Sequence, residues 1–314
     1  MQADDRIGSR ITFRDLHVLL TVVRERSMNR AAAVLNTTQP SVSRSIGALE
    51  ATVGVRLLDR TPQGVEPTAF GRVLLAGGIA AFDDLRQALK GIEFLADPAA
   101  GQVRIGCNLW LAPGFVAAIV DRMSRRFPRV EFHIAVPPPE MLQRELLDRK
   151  IDLLIGATLG SLDEQLNFEL LYEESHVVAA STSNPYARRR RIQLAELMNE
   201  LWTLPTPQSA FGAIIREGFR SVGLDYPRTT LFTHVPEMRI SLLTTGRYIT
   251  LFPASMVRFP GKHAEIKLLP VRIPMARVPV GVVTLKNRSL SPVAALFVET
   301  AREVAKSVAL ARDR

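Results

Sequence analysis

The sequence predicts a mixed α/β chain with a helix-rich N-terminal part, and three observations carry that expectation. Apolar residues recur at helical spacing through the first hundred residues. Beyond residue 100, short apolar runs alternate with helical stretches, the pattern of α/β sheets with right-handed crossovers. Between the two regions, Thr68 to about Ala96 contains no proline.

Composition narrows the class. Of 314 residues, 47% are hydrophobic and 23% charged, which excludes intrinsic disorder. The 19 Gly and 20 Pro are scattered without a period, so collagen-like and low-complexity readings fail. No run approaches the ~18 uninterrupted apolar residues of a membrane span. The first ten residues carry Asp4 and Asp5 and lack an apolar core before a cleavage site, which argues against a secretory signal. Cys107 is the one cysteine, so no internal disulfide forms, as suits a reducing cytoplasm. The net charge of +9 is unevenly placed. Residues 1–100 hold 12 Lys+Arg against 11 Asp+Glu, a net +1, whereas residues 101–314 hold 28 against 20, a net +8. Bulk charge is therefore weak support for nucleic-acid binding, and the case rests on motif.

The motif lies in the first seventy residues. Phe13, Leu16, Leu19, Leu20 and Val23 mark an amphipathic helix. Ser27 can cap a second, short helix whose Ala31, Ala32 and Leu35 allow another helix to cross closely. Asn36-Thr37-Thr38 breaks the pattern, Thr38 suits an N-cap, and Pro40 falls in the first turn of a third helix. That helix buries Val42, Ile46 and Leu49 and ends at Gly54. Its other face shows Gln39, Ser41, Ser43, Arg44 and Ser45, groups suited to base edges and phosphates. Arg56, Arg60 and Thr61 precede Pro62-Gln63-Gly64-Val65, where a two-stranded wing fits. The pattern is a winged helix-turn-helix.

The run Leu35-Asn36-Thr37-Thr38-Gln39-Pro40-Ser41-Val42-Ser43-Arg44 continues into Ile46, Leu49-Glu50, Gly54-Val55-Arg56-Leu57, Arg60-Thr61 and Thr68-Ala69 before Gly71. In these residues, and in the length and layout of the whole chain, the sequence resembles the LysR-type transcriptional regulators. Leu58 stands where that family usually has Phe, Pro67 where it has an aliphatic residue, and Gln63 where many members carry a wing arginine. The resemblance implies binding to double-stranded promoter DNA through Arg30, Thr37, Thr38, Gln39, Pro40, Ser41, Ser43, Arg44, Arg60 and Thr61.

Leu75, Gly78, Phe82, Leu85, Leu89, Ile92 and Ala96 step alternately by three and four residues, with Asp83, Asp84, Arg86 and Lys90 off that seam. The spacing predicts one long helix that pairs with a second helix; packing within its own domain would use the same spacing. Gly77-Gly78 points to close helix–helix approach. The family resemblance favours a homodimer through residues 68–96, a homotetramer through the C-terminal lobes and contact with RNA polymerase.

In the C-terminal part, strands are expected at Val103–Cys107, Val130–Val136, Ile151–Gly156, Ser175–Ser181, Leu201–Leu204, Thr229–His234, Tyr248–Phe252, Ile266–Leu269 and Val278–Leu285. Helices are expected at Pro113–Phe127, Glu140–Arg149, Leu194–Leu201, Phe211–Val222 and Pro292–Ala311. The order suits two lobes joined by crossings near residues 178 and 270, and resembles the periplasmic-binding-protein-like effector domain of the same family. Its Trp202-Thr203-Leu204-Pro205 and Phe252-Pro253-Ala254-Ser255 are closest to the branch named for regulation of a galactose-binding protein. The expected organisation is a DNA-binding domain at 1–67, a linker helix at 68–96 and an effector domain at 97–314. Its lobe I takes 101–178 and 270–314, and its lobe II 179–269.

A small-molecule effector is expected outside the carboxyl ends of the strands. By that rule Cys107, Asn108, Leu109, Trp110, Val136, Thr158, Pro205 and Thr206 face it. Cys107 is open to three readings: pocket lining, plain burial, or a redox sensor lacking a second thiol. No cofactor is expected, because neither a phosphate-cradling glycine loop nor a nucleophile elbow occurs. The histidines at 17, 133, 176, 234 and 263 lack the spacing of a metal site. Arg188–Arg191 reads as a solvated loop face. The cleft segments are poor in acid–base groups, which argues against an enzyme.

Overall fold

The computed structural model describes residues 10–62, 64–157, 160–229, 231–233, 235–258 and 265–310, in two units that meet at Leu89/Lys90. In the first unit a capping box opens α1 (Phe13–Glu25): Asp15 N donates to Thr12 Oγ1, and Thr12 N donates to Asp15 Oδ2 at 3.0 Å. Helix α1 buries Val18, Leu19 and Val22 and ends at Arg26, which takes the left-handed conformation at φ 51°. Ser27 Oγ accepts from Arg30 N to start α2 (Met28–Val34), whose Ala31 and Ala32 are buried. Helix α3 (Gln39–Val53) buries the expected Val42, Ile46 and Leu49 and stops at Gly54, φ 79°. Thr38 is the extended residue before α3, but its hydroxyl makes no cap bond; its carbonyl accepts from Ser41 N and Val42 N instead.

The wing is a hairpin of β1 (Leu58–Thr61) and β2 (Gly64–Pro67). Glu50 fastens it to α3, its Oε1 accepting from Leu57 N at 2.7 Å and Leu58 N at 3.2 Å. At Gly64, φ 120°, a Cβ would lie 2.4 Å from Arg26 O, the acceptor of Val65 N. Only glycine satisfies both demands.

Helix α4 (Ala69–Ala96) is continuous, as expected, but its predicted seam divides. Leu75 and Gly78 face their own domain; Gly78 sits beside the Leu16 side chain, and Phe82 meets Phe13 edge-on at 5.3 Å. A Cβ at Gly78 would meet Leu16 at an ordinary 3.5 Å and one at Gly77 would meet nothing within 4 Å, so the approach to α1 does not demand the glycine pair, and Leu85, Leu89 and Ile92 stay exposed. Asp83 and Lys90, expected off the buried face, are both buried.

The second unit holds two five-stranded sheets. The first combines β3 (Ala100–Cys107), β4 (Arg129–Ala135), β5 (Leu153–Ala157), β6 (Leu166–Glu174) and β12 (Val278–Leu285) in the order β4-β3-β5-β12-β6. The second combines β7 (His176–Ser181), β8 (Leu201–Leu204), β9 (Leu231–Phe232), β10 (Tyr248–Pro253) and β11 (Ile266–Leu268) in the order β11-β7-β10-β8-β9. Strands β4, β3 and β5 are parallel, as are β10, β8 and β9, whereas β12, β7 and β11 run antiparallel to their neighbours. The helices are α5 (Ala117–Arg126), α6 (Pro139–Leu147), α7 (Ala210–Arg220), α8 (Pro236–Thr244), α9 (Ala254–Arg258) and α10 (Pro292–Leu310).

Several expectations shift. A π-helical turn, Ala112–Val116, precedes α5. The helix expected over Leu194–Leu201 is one 3-10 turn, Leu194–Leu197, whose last carbonyl accepts from Glu200 N at 3.1 Å and from the buried Trp202 indole at 2.7 Å as the chain enters β8 at Leu201. Strand β7 lies wholly in the second sheet, so the chain crosses at Ser175 rather than near 178. It returns after β11: Val271, Ile273 and Met275 still pack on the second core, placing that crossing beyond residue 270. Strand β6 and helices α8 and α9 were not anticipated. The expected positions Thr158 and His234, and Gln63 in the wing, lie outside the described residues.

Candidate functional site

The first candidate surface is the leading edge of α3. Thr37, Thr38, Pro40 and Arg44 are exposed, and Gln39, Ser41, Ser43 and Ser45 are half-buried. No acidic side chain occurs in the first turn, so the positive end of the helix dipole is unopposed there. Arg44 Nε donates to Pro40 O at 3.4 Å. Arg30 is exposed on α2 and bonds the Glu25 carbonyl at the end of α1. Arg60 is exposed on the wing, whereas the Thr61 hydroxyl is spent within the hairpin, donating to Gly64 O at 3.1 Å. A groove of about 330 Å³ beside α3 is lined by Arg14, His17, Asn36, Thr37, Ser41 and Ser45. The sequence reading missed Arg14 and His17. Their signal was three-residue spacing on the polar face of α1.

The second candidate lies between the two sheets, where Trp110 follows β3. Its ring joins the cluster of Ala179, Leu243, Phe252 and Met256 on the other lobe. Phe252 stands 6.4 Å away, and the Arg239 guanidinium lies over the indole at 4.6 Å. Arg239 is buried on α8 and donates through Nε and Nη2 to Thr233 O. Burial lowers its pKa to about 10. Tyr226 donates its hydroxyl to Pro205 O at 2.7 Å, and burial pushes that phenol up against the pull of Arg239 and Arg216. Arg239 was missed by sequence. Its signal was helical spacing with the buried Pro236 and Leu243, which placed a cation on an inward face.

Other expected cleft residues divide by role. Asn108 Oδ1 accepts from Ala157 N at 2.8 Å and its own N–H donates to Ile155 O, so Asn108 pins the end of β3 to β5. Pro205 is buried; Thr206 is exposed, its carbonyl accepting from Ser209 at the start of α7. Leu109 is half-buried, and Val136 is exposed beyond β4. Cys107 is sealed in the first sheet's core, where burial drives its thiol to about 12. This favours burial over a redox role. Native protein is expected to resist iodoacetamide at neutral pH and to react only once unfolded; fast labelling of the folded chain would contradict that.

At the crossing, Glu174 Oε2 accepts from the Tyr172 hydroxyl and Oε1 from Ser255 N, the first turn of α9. Gly114 in the π turn approaches the Ser255 carbonyl so closely that a Cβ would lie 3.1 Å away. His176 stacks on Phe211 at 4.6 Å, and burial lowers its pKa to about 4. Among the described residues there is no cluster of three His, Cys, Asp or Glu fit to hold a metal, and no helix long and apolar enough to cross a membrane.

Comparison with known proteins gives two family matches. Residues 13–72 match the bacterial regulatory helix-turn-helix protein of the lysR family, and residues 96–306 match the LysR substrate binding domain. The chain is 24% identical over 288 residues to the transcriptional regulator GbpR of Azospirillum brasilense, covering 91% of this chain and 84% of that one. A full-length OxyR from Pseudomonas aeruginosa shares the fold with TM-score 0.65 at 18% identity, covering 94% of this chain and 97% of the other. Full-length CbnR complexed with its target DNA aligns with TM-score 0.54 at 22% identity, covering 94% and 100%.

Proposed function

From the premise that the chain belongs to the LysR family of DNA-binding transcriptional regulators, each with an effector-binding domain, we propose how it reads DNA and what switches it. Two chains pair through α4, and each lays the leading edge of its α3 in a major groove of double-stranded promoter DNA. The observation carrying this reading is that α3 buries Val42, Ile46 and Leu49 on one face while Thr37, Thr38, Pro40 and Arg44 at its leading end are exposed and its first turn is free of acids. Gln39 reads an adenine edge, Ser41 and Ser43 meet bases or phosphates, and Thr37, Thr38, Arg30, Arg44 and Arg60 hold the backbone. Pro40 sets the approach of the first turn. Thr61 serves the wing's shape, given its bond to Gly64 O.

A small molecule between the lobes, near Trp110 and Pro205, shifts the balance between two lobe arrangements. In a tetramer of paired dimers that shift alters promoter bending and the access of RNA polymerase, in the cytoplasm where the DNA lies.

Gln39→Ala tests the DNA reading. Specific operator affinity is expected to fall about tenfold, since a bidentate base pair of bonds contributes roughly 1–3 kcal/mol. Affinity for unrelated duplex should hold, and both should weaken steeply with salt. Equal losses on operator and unrelated DNA would remove Gln39 from base recognition.

A further inference from the structure

Arg239 is 1% exposed, so its guanidinium has given up nearly all of its water. Two of its five N–H groups are directed at one carbonyl, Thr233 O. It also lies over the Trp110 ring face and acts on the Tyr226 phenol. Among the described residues no carboxylate pairs with it. A buried cation without a counter-charge is costly, and proteins rarely keep one except to meet an anion.

The surroundings define the anion. Trp110 and Phe252, tilted 51° to each other, supply an apolar, aromatic wall. A guanidinium fork matches a carboxylate in two parallel hydrogen bonds, and aromatic faces take up an apolar body.

Resting on the effector-cleft reading above, we infer that the cleft binds a small organic carboxylate with an apolar body, anchored on Arg239 as Trp110 gives way. Trp110 belongs to the loop after β3 and Arg239 to α8 of the other lobe, so their stacking is a contact between lobes. A carboxylate that replaces the ring over Arg239 exchanges an interlobe contact for a ligand contact. It therefore binds the two lobe arrangements unequally, as a switch requires.

The test uses the full-length protein and a panel of aliphatic and aromatic carboxylates, benzoate among them, each beside its primary amide, together with neutral sugars. Melting temperature and calorimetric titration are read for the native protein, Arg239→Lys and Arg239→Met. At least one carboxylate is expected to stabilise the native protein, its amide binding about tenfold or more weakly. Arg239→Met should abolish that response, and Arg239→Lys should keep part of it. Without ligand, Arg239→Met should melt no lower than the native chain, because it removes a buried cation; a large drop would mark a structural arginine and overturn the inference. Trp110 emission, read in a Trp202→Phe background, should change on carboxylate binding. Amides or sugars that bind native and Arg239→Met proteins alike would sink the carboxylate anchor and leave the effector cleft standing. A panel in which nothing binds would remove both.

Discussion

Asp152→Ala is expected to destabilise the C-terminal unit by about 3–5 kcal/mol, the usual loss when one partner of a buried ion cluster is deleted. Asp152 is almost fully buried ahead of β5, and three cations converge on it. Arg104 Nη2 donates to Oδ1 at 2.7 Å and Arg104 N to Oδ2 at 2.9 Å; Arg288 Nη2 reaches Oδ1 at 2.8 Å and Lys90 Nζ reaches Oδ2 at 3.4 Å. Burial alone would raise this carboxyl, but the Arg104 bonds and the charges of Arg104 and Lys90 outweigh it and hold Asp152 well below the usual range. Burial, offset only in part by Asp152, already keeps Lys90 below its ordinary value, so deleting Asp152 strands that ammonium too.

The sign of the pH dependence follows. A carboxyl depressed in the folded state stabilises fully above its unfolded pKa of about 4 and loses that contribution as pH falls further. Chemical denaturation of native and Asp152→Asn proteins should therefore differ most near neutrality and converge below about pH 4. A gap independent of pH would show that packing, not charge, carries the effect.

The N-terminal unit was legible because its determinants are local. Ser27, Pro40 and Gly54 each act within one turn, and the apolar triad of α3 lies at helical spacing. What the sequence hid in the second unit depends on distant partners. Strand β6 reads Leu-Asn-Phe-Glu-Leu-Leu-Tyr-Glu-Glu, charged enough to pass for a loop, and is a strand because β12 pairs with it along its length at the sheet edge. Leu194–Leu201 has helical composition, yet from Leu201 the chain is drawn into the sheet beside β10, with the Trp202 indole held on the Leu197 carbonyl.

The candidate cleft divides the same way. The rule that ligands lie beyond strand ends found Trp110 and Pro205. It could not separate them from Asn108, whose amide oxygen is taken by Ala157 N, or from Cys107, whose side chain points into the core. Arg239 escaped notice because its significance lies in what is missing around it. A buried guanidinium with no carboxylate partner among the described residues is a three-dimensional fact.

The largest functional loss is expected from Leu85→Asp. Within one chain Leu85 is 48% exposed, Leu89 52%, Ile92 63% and Leu95 83%, a run of apolar side chains at three- and four-residue spacing along the second half of α4. The first half of the predicted seam is occupied by α1, so of that seam it is this second half that stays exposed to pair chains. Burying a leucine contributes roughly 1.5–3 kcal/mol, and a two-fold interface counts each position twice. An aspartate there forfeits that gain on both chains and brings two like charges together. Sedimentation should give half the native mass at concentrations where the native protein is dimeric. Operator affinity should fall about a hundredfold or more, since two recognition helices no longer share one effective concentration. Each separated chain should keep its fold, because Leu85 is not among the residues of either unit's core. An unchanged mass would transfer the pairing to another surface and leave these leucines unexplained.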